Sequence, residues 1–212
     1  MLEIRTRAPF AKRGLAIAGF VAGLTLLVHL GCPGSALAAG PLEAVRETVA
    51  AISAVLGDPR LKGGDASRKE RVRKIIHDAF DFGTMARASL GDHWTTLSPE
   101  QRQEFVELFR DLFERSYDRL VLRFLGESET TYGAETIEGD RAVVRTVLLR
   151  KQGDELPVEY RLVYDGHRWA ISDVVVDGIS LAANFRAQFE KTIRTSSYEA
   201  LLRKIHDKLA QE

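Results

Sequence analysis

Trp169-Ala170-Ile171-Ser172-Asp173-Val174-Val175-Val176-Asp177-Gly178-Ile179-Ser180-Leu181 leads without a break into Ala182-Ala183-Asn184-Phe185-Arg186-Ala187-Gln188-Phe189. The first part has the β-branched content of a strand, and the second spaces Leu181, Phe185 and Phe189 as one face of a helix. The stretch therefore reads as a strand running straight into a helix. It holds no nucleophile, no metal cluster and no phosphate loop. Its apolar positions are arranged to line a space.

Working back from Trp169, the hydrophobic period is 2. Gly139-Asp140, Gly153-Asp154 and Asp165-Gly166 are turn signals 12 to 14 residues apart. They predict four strands at 130–138, 141–151, 156–164 and 167–176, an antiparallel meander. Val158, Tyr160, Leu162 and Tyr164 alternate with Pro157, Glu159 and Arg161, and Ala142, Val144, Thr146 and Leu148 alternate with Arg141 and Arg145. One face is apolar and the other partly charged.

Upstream of Gly126 the period is that of helices. Leu42, Val45, Val49 and Ile52 define one, stopped by Asp58-Pro59. Asp65 or Ser67 can cap a second with Val72, Ile75, Ile76, Ala79 and Phe80, whose pattern continues through Phe82, Met85 and Leu90 to Gly91. Ser98-Pro99-Glu100-Gln101 is a capping box with proline at the first helical position. It opens a long helix striped with Phe105, Leu108, Phe109, Leu112, Phe113, Tyr117, Leu120, Val121 and Phe124. Two helices close the chain, one with Leu181, Phe185, Phe189 and Ile193, the other with Leu201, Leu202, Ile205 and Leu209. The fold class is α+β: helices packed on a curved four-stranded antiparallel sheet.

The beginning of the chain reads as a secretory signal peptide over residues 1–38. Arg5, Arg7, Lys12 and Arg13 precede the 17-residue uncharged run from Gly14 to Leu30, and Ala36-Leu37-Ala38 is a small-x-small cleavage site. Cys32 is the only cysteine and lies inside this leader. Leu30-Gly31 before it leaves lipidation open, although His29 and Leu30 fit that signal poorly and Pro33 follows the cysteine. The expected mature region, residues 39–212, suits one domain. The whole chain has 30 basic and 30 acidic residues, and removal of the leader leaves 26 and 29, a net charge of about −3. That balance carries no nucleic-acid footprint. Gly57 to Ser67 is the one long turn-rich loop.

Candidate chemistry is sparse. His77-Asp78 are neighbours within a helix and point apart. Asp92-His93 follow a glycine and suit a turn. Gly178-Ile179-Ser180 is half of a nucleophile elbow, and no spacing points to a metal or another cofactor. Asp173 and Asp177 alternate along one strand and read as an edge-facing charge and a helix-cap acid. An acid inside an apolar cavity can also shuttle protons, which keeps a small-molecule enzyme as the alternative function.

Three blocks resemble the MlaC family, also described as toluene-tolerance periplasmic proteins. They are Trp169 with Asp173-Val174, Asp177-Gly178-Ile179-Ser180-Leu181, Asn184-Phe185-Arg186 and Gln188-Phe189; Phe80-Asp81-Phe82-Gly83-Thr84-Met85 through Leu90-Gly91 and Trp94; and Leu97-Ser98-Pro99-Glu100-Gln101 leading into Phe105, Phe109 and Tyr117. Phe185 stands where many relatives carry tyrosine. The resemblance implies a cone-shaped, nuclear-transport-factor-like domain that encloses an apolar cavity. It implies periplasmic carriage of phospholipid between an inner-membrane ABC transporter with a ring-shaped lipid-binding subunit and an outer-membrane lipoprotein complex.

On this reading the expected lining is Phe109, Leu112, Phe113, Tyr117, Val144, Leu148, Tyr160, Leu162, Val174, Val176, Ile179 and Leu181. Arg141, Arg145, Arg150 and Arg161 would form the charged face of the sheet, a docking surface for an acidic partner. No catalytic residue, metal or cofactor is expected. A purely protein-binding adaptor with a filled core is the third reading.

Overall fold

The structure, a computed structural model, describes residues 39–61, 66–150 and 153–211; the side chains of 118–124, 126, 127 and 150 lie outside that set. The leader at 1–38, Asp65 as a cap, the Gly63-Gly64 part of the loop and the Lys151 end of the second strand fall outside the described residues.

Five antiparallel strands follow one another in space as in sequence: β1 (Ser128–Glu138), β2 (Arg141–Arg150), β3 (Glu155–Tyr164), β4 (Trp169–Val176) and β5 (Ile179–Ser180). The fifth strand corrects the expectation of four. Asp177 (φ 50°) and Gly178 (φ 78°) both take left-handed backbone, the signature of a type I′ hairpin turn. The chain therefore doubles back after β4, pairing Val176 with Ile179, before the helix begins. Asp177 is a turn residue and not the helix-cap acid.

Two register shifts bend the sheet. One lies in β1 between Tyr132 and Glu135. The other lies in β4, where Arg161 pairs with Asp173 but Leu162 pairs with Ile171. The extra residue, Ser172, puts Ile171 and Val174 on the same face although they are an odd number of positions apart. Ala142, Val144, Leu148, Val158, Tyr160, Leu162, Ile171 and Val174 form this buried inner face.

Helices α1 (Pro41–Gly57), α2 (Ala66–Ala79), α3 (Phe82–Leu90), α4 (Pro99–Glu127), α5 (Leu181–Thr195) and α6 (Tyr198–Ala210) pack together and against the sheet. Ser67 lies inside α2, not at its cap. The expected continuous pattern from Val72 to Leu90 is two helices. At the break, Phe80 forms a parallel bridge with Ile171, and the Asp81 N–H donates to the Ile171 carbonyl at 2.8 Å. The Asp81 carboxylate then accepts from Thr84 N at 2.8 Å and starts α3. Gly91 ends α3 with φ 56°, a left-handed backbone that favours glycine, and the Arg186 guanidinium of α5 lies over this turn, where a Cβ would come within 2.8 Å of its carbon.

Helix α4 begins at the expected capping box: Ser98 Oγ accepts from Gln101 N (3.2 Å) and Gln101 Oε1 accepts from Ser98 N (2.9 Å). At 29 residues it is about 43 Å long. Helix α1 has no cap of its own at Gly40. Glu135 of β1 accepts from Leu42 N at 2.9 Å instead, and its charge suits the positive end of the helix. Arg46 lies over the Tyr132 ring at 4.8 Å, so the β1 bulge holds α1 at two points.

Asp173 is the junction of sheet and C-terminal helices. It is only 7% exposed. Its carboxylate accepts from Val174 N (2.9 Å), Ala182 N (3.1 Å) and Ser180 Oγ (2.6 Å), and pairs with Arg161 at 3.4 Å. Ser180 in turn caps α5 by accepting from Ala183 N at 3.0 Å. The expected edge-facing charge is thus the acid that fixes the start of α5. Asp173→Ala strands these donors, and we expect a loss of about 2–4 kcal/mol in urea unfolding; an unchanged midpoint would contradict this role.

Candidate functional site

Between the inner face of the sheet and helices α1, α2 and α4 lies an apolar cavity of about 90 Å³. The sheet supplies Leu148 from β2, Leu156, Val158 and Tyr160 from β3, and Ile171, Val174 and Val176 from β4. Thr48, Val49 and Ile52 of α1, Ile76 of α2 and the adjoining Phe80, Phe113, Tyr117 and Leu125 of α4, and Leu181 of α5 complete the wall. None of these side chains is charged. Half-buried Tyr117, Leu125, Leu156 and Val176 border one end, and half-buried Thr48 and Phe80 border the other.

Seven of the expected lining residues meet at this cavity: Phe113, Tyr117, Leu148, Tyr160, Val174, Val176 and Leu181. The other five lie elsewhere. Phe109 is fully buried in a ring cluster, 5.2 Å from Phe185 and 6.2 Å from Phe105. Leu112, Val144 and Leu162 are buried core residues that do not reach the cavity wall. The α4 stripe is wider than one surface: Phe105 and Phe109 face α5 and α6, while Phe113 and Tyr117 turn to the cavity. Ile179 is 62% exposed. It sits beside Val176 on the cavity side of the hairpin, outside the wall.

Four of the nine missed members, Thr48, Val49, Ile52 and Ile76, come from α1 and α2, whose helical spacing marks a buried face and not what it is buried against; Phe80, Leu125, Leu156 and Val158 extend the wall along elements whose apolar pattern is legible. Ile171 was hidden by the bulge, which breaks the alternation on which face assignments rest.

Asp173 is turned from the cavity toward Arg161, Ser180 and the first turn of α5. Arg141, Arg145 and Arg161 share the outer face, but Glu159 lies between the last two, 3.5 Å from Arg145 and 3.1 Å from Arg161. That face is a mixed ion-pair network and not a uniformly basic patch. The Arg150 side chain lies outside the described residues.

The phenols record how dry the interior is. Burial pushes the Tyr160 hydroxyl well above the ordinary tyrosine range and that of Tyr198 up to about 12. Burial also raises Tyr117, against a hydrogen bond from Asn184 that pulls the other way. A raised folded-state value favours the protonated fold. The stability these groups contribute is therefore complete below about pH 10 and is lost as pH rises through their folded values. We expect the urea midpoint to fall above pH 10, and Tyr160→Phe to reduce that slope by up to about 1.4 kcal/mol per pH unit. Equal slopes for both proteins would contradict the buried position of Tyr160.

Comparison with known proteins places this geometry. The family model described as "MlaC protein" matches residues 46–207. The toluene tolerance protein ttg2D of Pseudomonas putida is 33% identical over 92 residues, 43% of this chain and 43% of that protein, so the match spans under half of the relative's length. The phospholipid-binding protein from Ralstonia solanacearum, solved in complex with a phospholipid, superposes with a TM-score of 0.72 at 24% identity. That match covers 82% of this chain and 98% of the other, and shows a shared fold. With its helices, antiparallel sheet and a family match across most of its length, this chain belongs to the MlaC family.

Proposed function

We propose that the protein is a phospholipid-binding carrier that holds acyl chains in the cavity beneath the sheet. The observation that carries this reading is a cavity wall of sixteen residues without one charge. Family membership and the phospholipid-bound neighbour of the same fold support it.

The energetics fit a carrier. Two chains of about 16 carbons gain on the order of 25 kcal/mol by leaving water, at about 0.8 kcal/mol per methylene. A bilayer offers the same gain, so a carrier must nearly match it to load from one membrane and unload into another. An aliphatic and aromatic wall, with two phenols and the Thr48 hydroxyl, does so with few hydrogen bonds to compete. The cavity of about 90 Å³ is smaller than the roughly 300–1,000 Å³ typical of small-molecule sites. Loading therefore requires the helices and the sheet to part.

The carrier works in the periplasm after export by the leader at 1–38, exchanging lipid with an inner-membrane ABC transporter through its ring-shaped subunit and with an outer-membrane lipoprotein complex. Arg141, Arg145 and Arg161, with Arg150, supply the docking face. Arg145 and Arg161 pair with Glu159 at the surface, and contact made through such exposed charges is salt-sensitive and reversible. Binding without catalysis is the reading favoured by Asp173, whose carboxylate is committed to the fold and not to the cavity.

Native mass spectrometry of gently purified protein is expected to show bound phospholipid. Val174→Glu places a carboxylate in the wall, where an unpaired charge is costly, and we expect a folded protein with no bound lipid. Full lipid load in that variant would contradict the cavity as the site. Arg145→Glu is expected to weaken capture by the membrane complexes at low salt more than at high salt; equal loss at both would argue against an electrostatic docking face.

A further inference from the structure

A second hollow of about 370 Å³ lies beside the cavity, in the cleft between α1, α2 and the turn joining β3 to β4. Its apolar walls are Ala44, Ala51, Ile75, Ala79, Trp169 and Ile171. Its rim is polar, with Glu47, Asp78, His167 and Arg168. Two residues, Thr48 and Ile171, line both this groove and the cavity. They stand at the end of the cavity away from Tyr117 and Leu125.

We propose that groove and cavity form one two-chambered acyl site, and that the groove receives the methyl-terminal part of a chain that enters past Tyr117 and Leu125. The inference rests on the phospholipid-carrier reading and names how the chain is housed.

Three features point to a hydrocarbon occupant. The groove shares Thr48 and Ile171 with the apolar cavity, so a chain extending past these two side chains meets it next. The helix walls facing it are narrow: Ala44, Thr48 and Ala51 lie on one side of α1, and Ala79 faces them from α2. Small side chains at these positions leave room along the path, whereas the core positions Val45, Val49 and Ile52 of the same helix are large and buried. The volumes agree as well. The cavity alone falls below the range of small-molecule sites, and the groove alone lies within it. The direction follows β4: Val176 borders the first chamber and Trp169 the second, seven residues apart along the strand, or about 23 Å.

Trp169 makes the idea directly readable. The chain has two tryptophans, so Trp94→Phe leaves Trp169 as the only one. The probe is a phosphatidylcholine with bromine near the methyl end of its chains, which quenches indole emission only on close approach. Loading this variant with the probe is expected to reduce Trp169 emission at least twofold relative to the unbrominated lipid. Ala51→Phe in the same background fills the groove from α1 and is expected to abolish the difference. Lipid bound in the mass spectrum without quenching overturns the two-chambered site and leaves the carrier reading intact. No bound lipid of either kind overturns both. Should Ala51→Phe fail to fold, the brominated and unbrominated lipids on Trp94→Phe alone decide between these outcomes.

Discussion

An antiparallel sheet with one apolar face has to bury that face against something, and here the covering layer does so unevenly. Over one half, phenylalanines of α4 and α5 fill the space: Phe105, Phe109, Phe185 and Phe189 contact one another as a single ring cluster. Over the other half the sheet presents Leu148, Leu156, Val158, Val174 and Val176. These shorter side chains leave a hollow beneath α1, α2 and Tyr117. Close packing is the rule in protein interiors, so an apolar gap at this position is where a non-protein hydrocarbon can complete the core. The carrier reading follows from this incomplete burial more than from any single residue.

The uneven cover is held in register by polar contacts at its edges. Asp173 ties the Ser172 bulge of β4 to the first turn of α5, and Ser180 extends that contact into the helix cap. Across the sheet, Glu135 and Tyr132 hold the first turns of α1. Phe80 and Asp81 attach the α2–α3 junction to Ile171. None of these groups charges the cavity wall, yet each fixes a helix that forms it. The arrangement separates two tasks: charges position the elements, and apolar side chains face the cavity.

Much of this was legible in the residues. The helix-to-strand transition near Gly126, the three turns of the meander, the capping box at Ser98 and the aromatic stripe of α4 all express local periodicity and turn chemistry, and the structure follows them. What escaped was non-local. The short β5 depends on Asp177 accepting left-handed backbone, which an Asp-Gly pair permits but a reading of helix onset overlooks. The break between α2 and α3 depends on Phe80 meeting Ile171, more than ninety residues away. The cavity was the hardest to place. Phe109 and Phe113 are one helical turn apart on the same stripe, and only the position of α5 decides that the first is core and the second is wall. Ile179 pairs with Val176 on the cavity side but ends in solvent because the hairpin stops there.

Contacts between the cargo and the wall test the account most directly. With a phospholipid carrying ¹³C-labelled acyl chains, the account predicts nuclear Overhauser contacts from chain methylenes to the methyl groups of Leu148, Val158 and Val174. Contacts confined to the exposed Leu149 and Ile179, with none to those three, would place the lipid on the outside of the molecule and contradict the account.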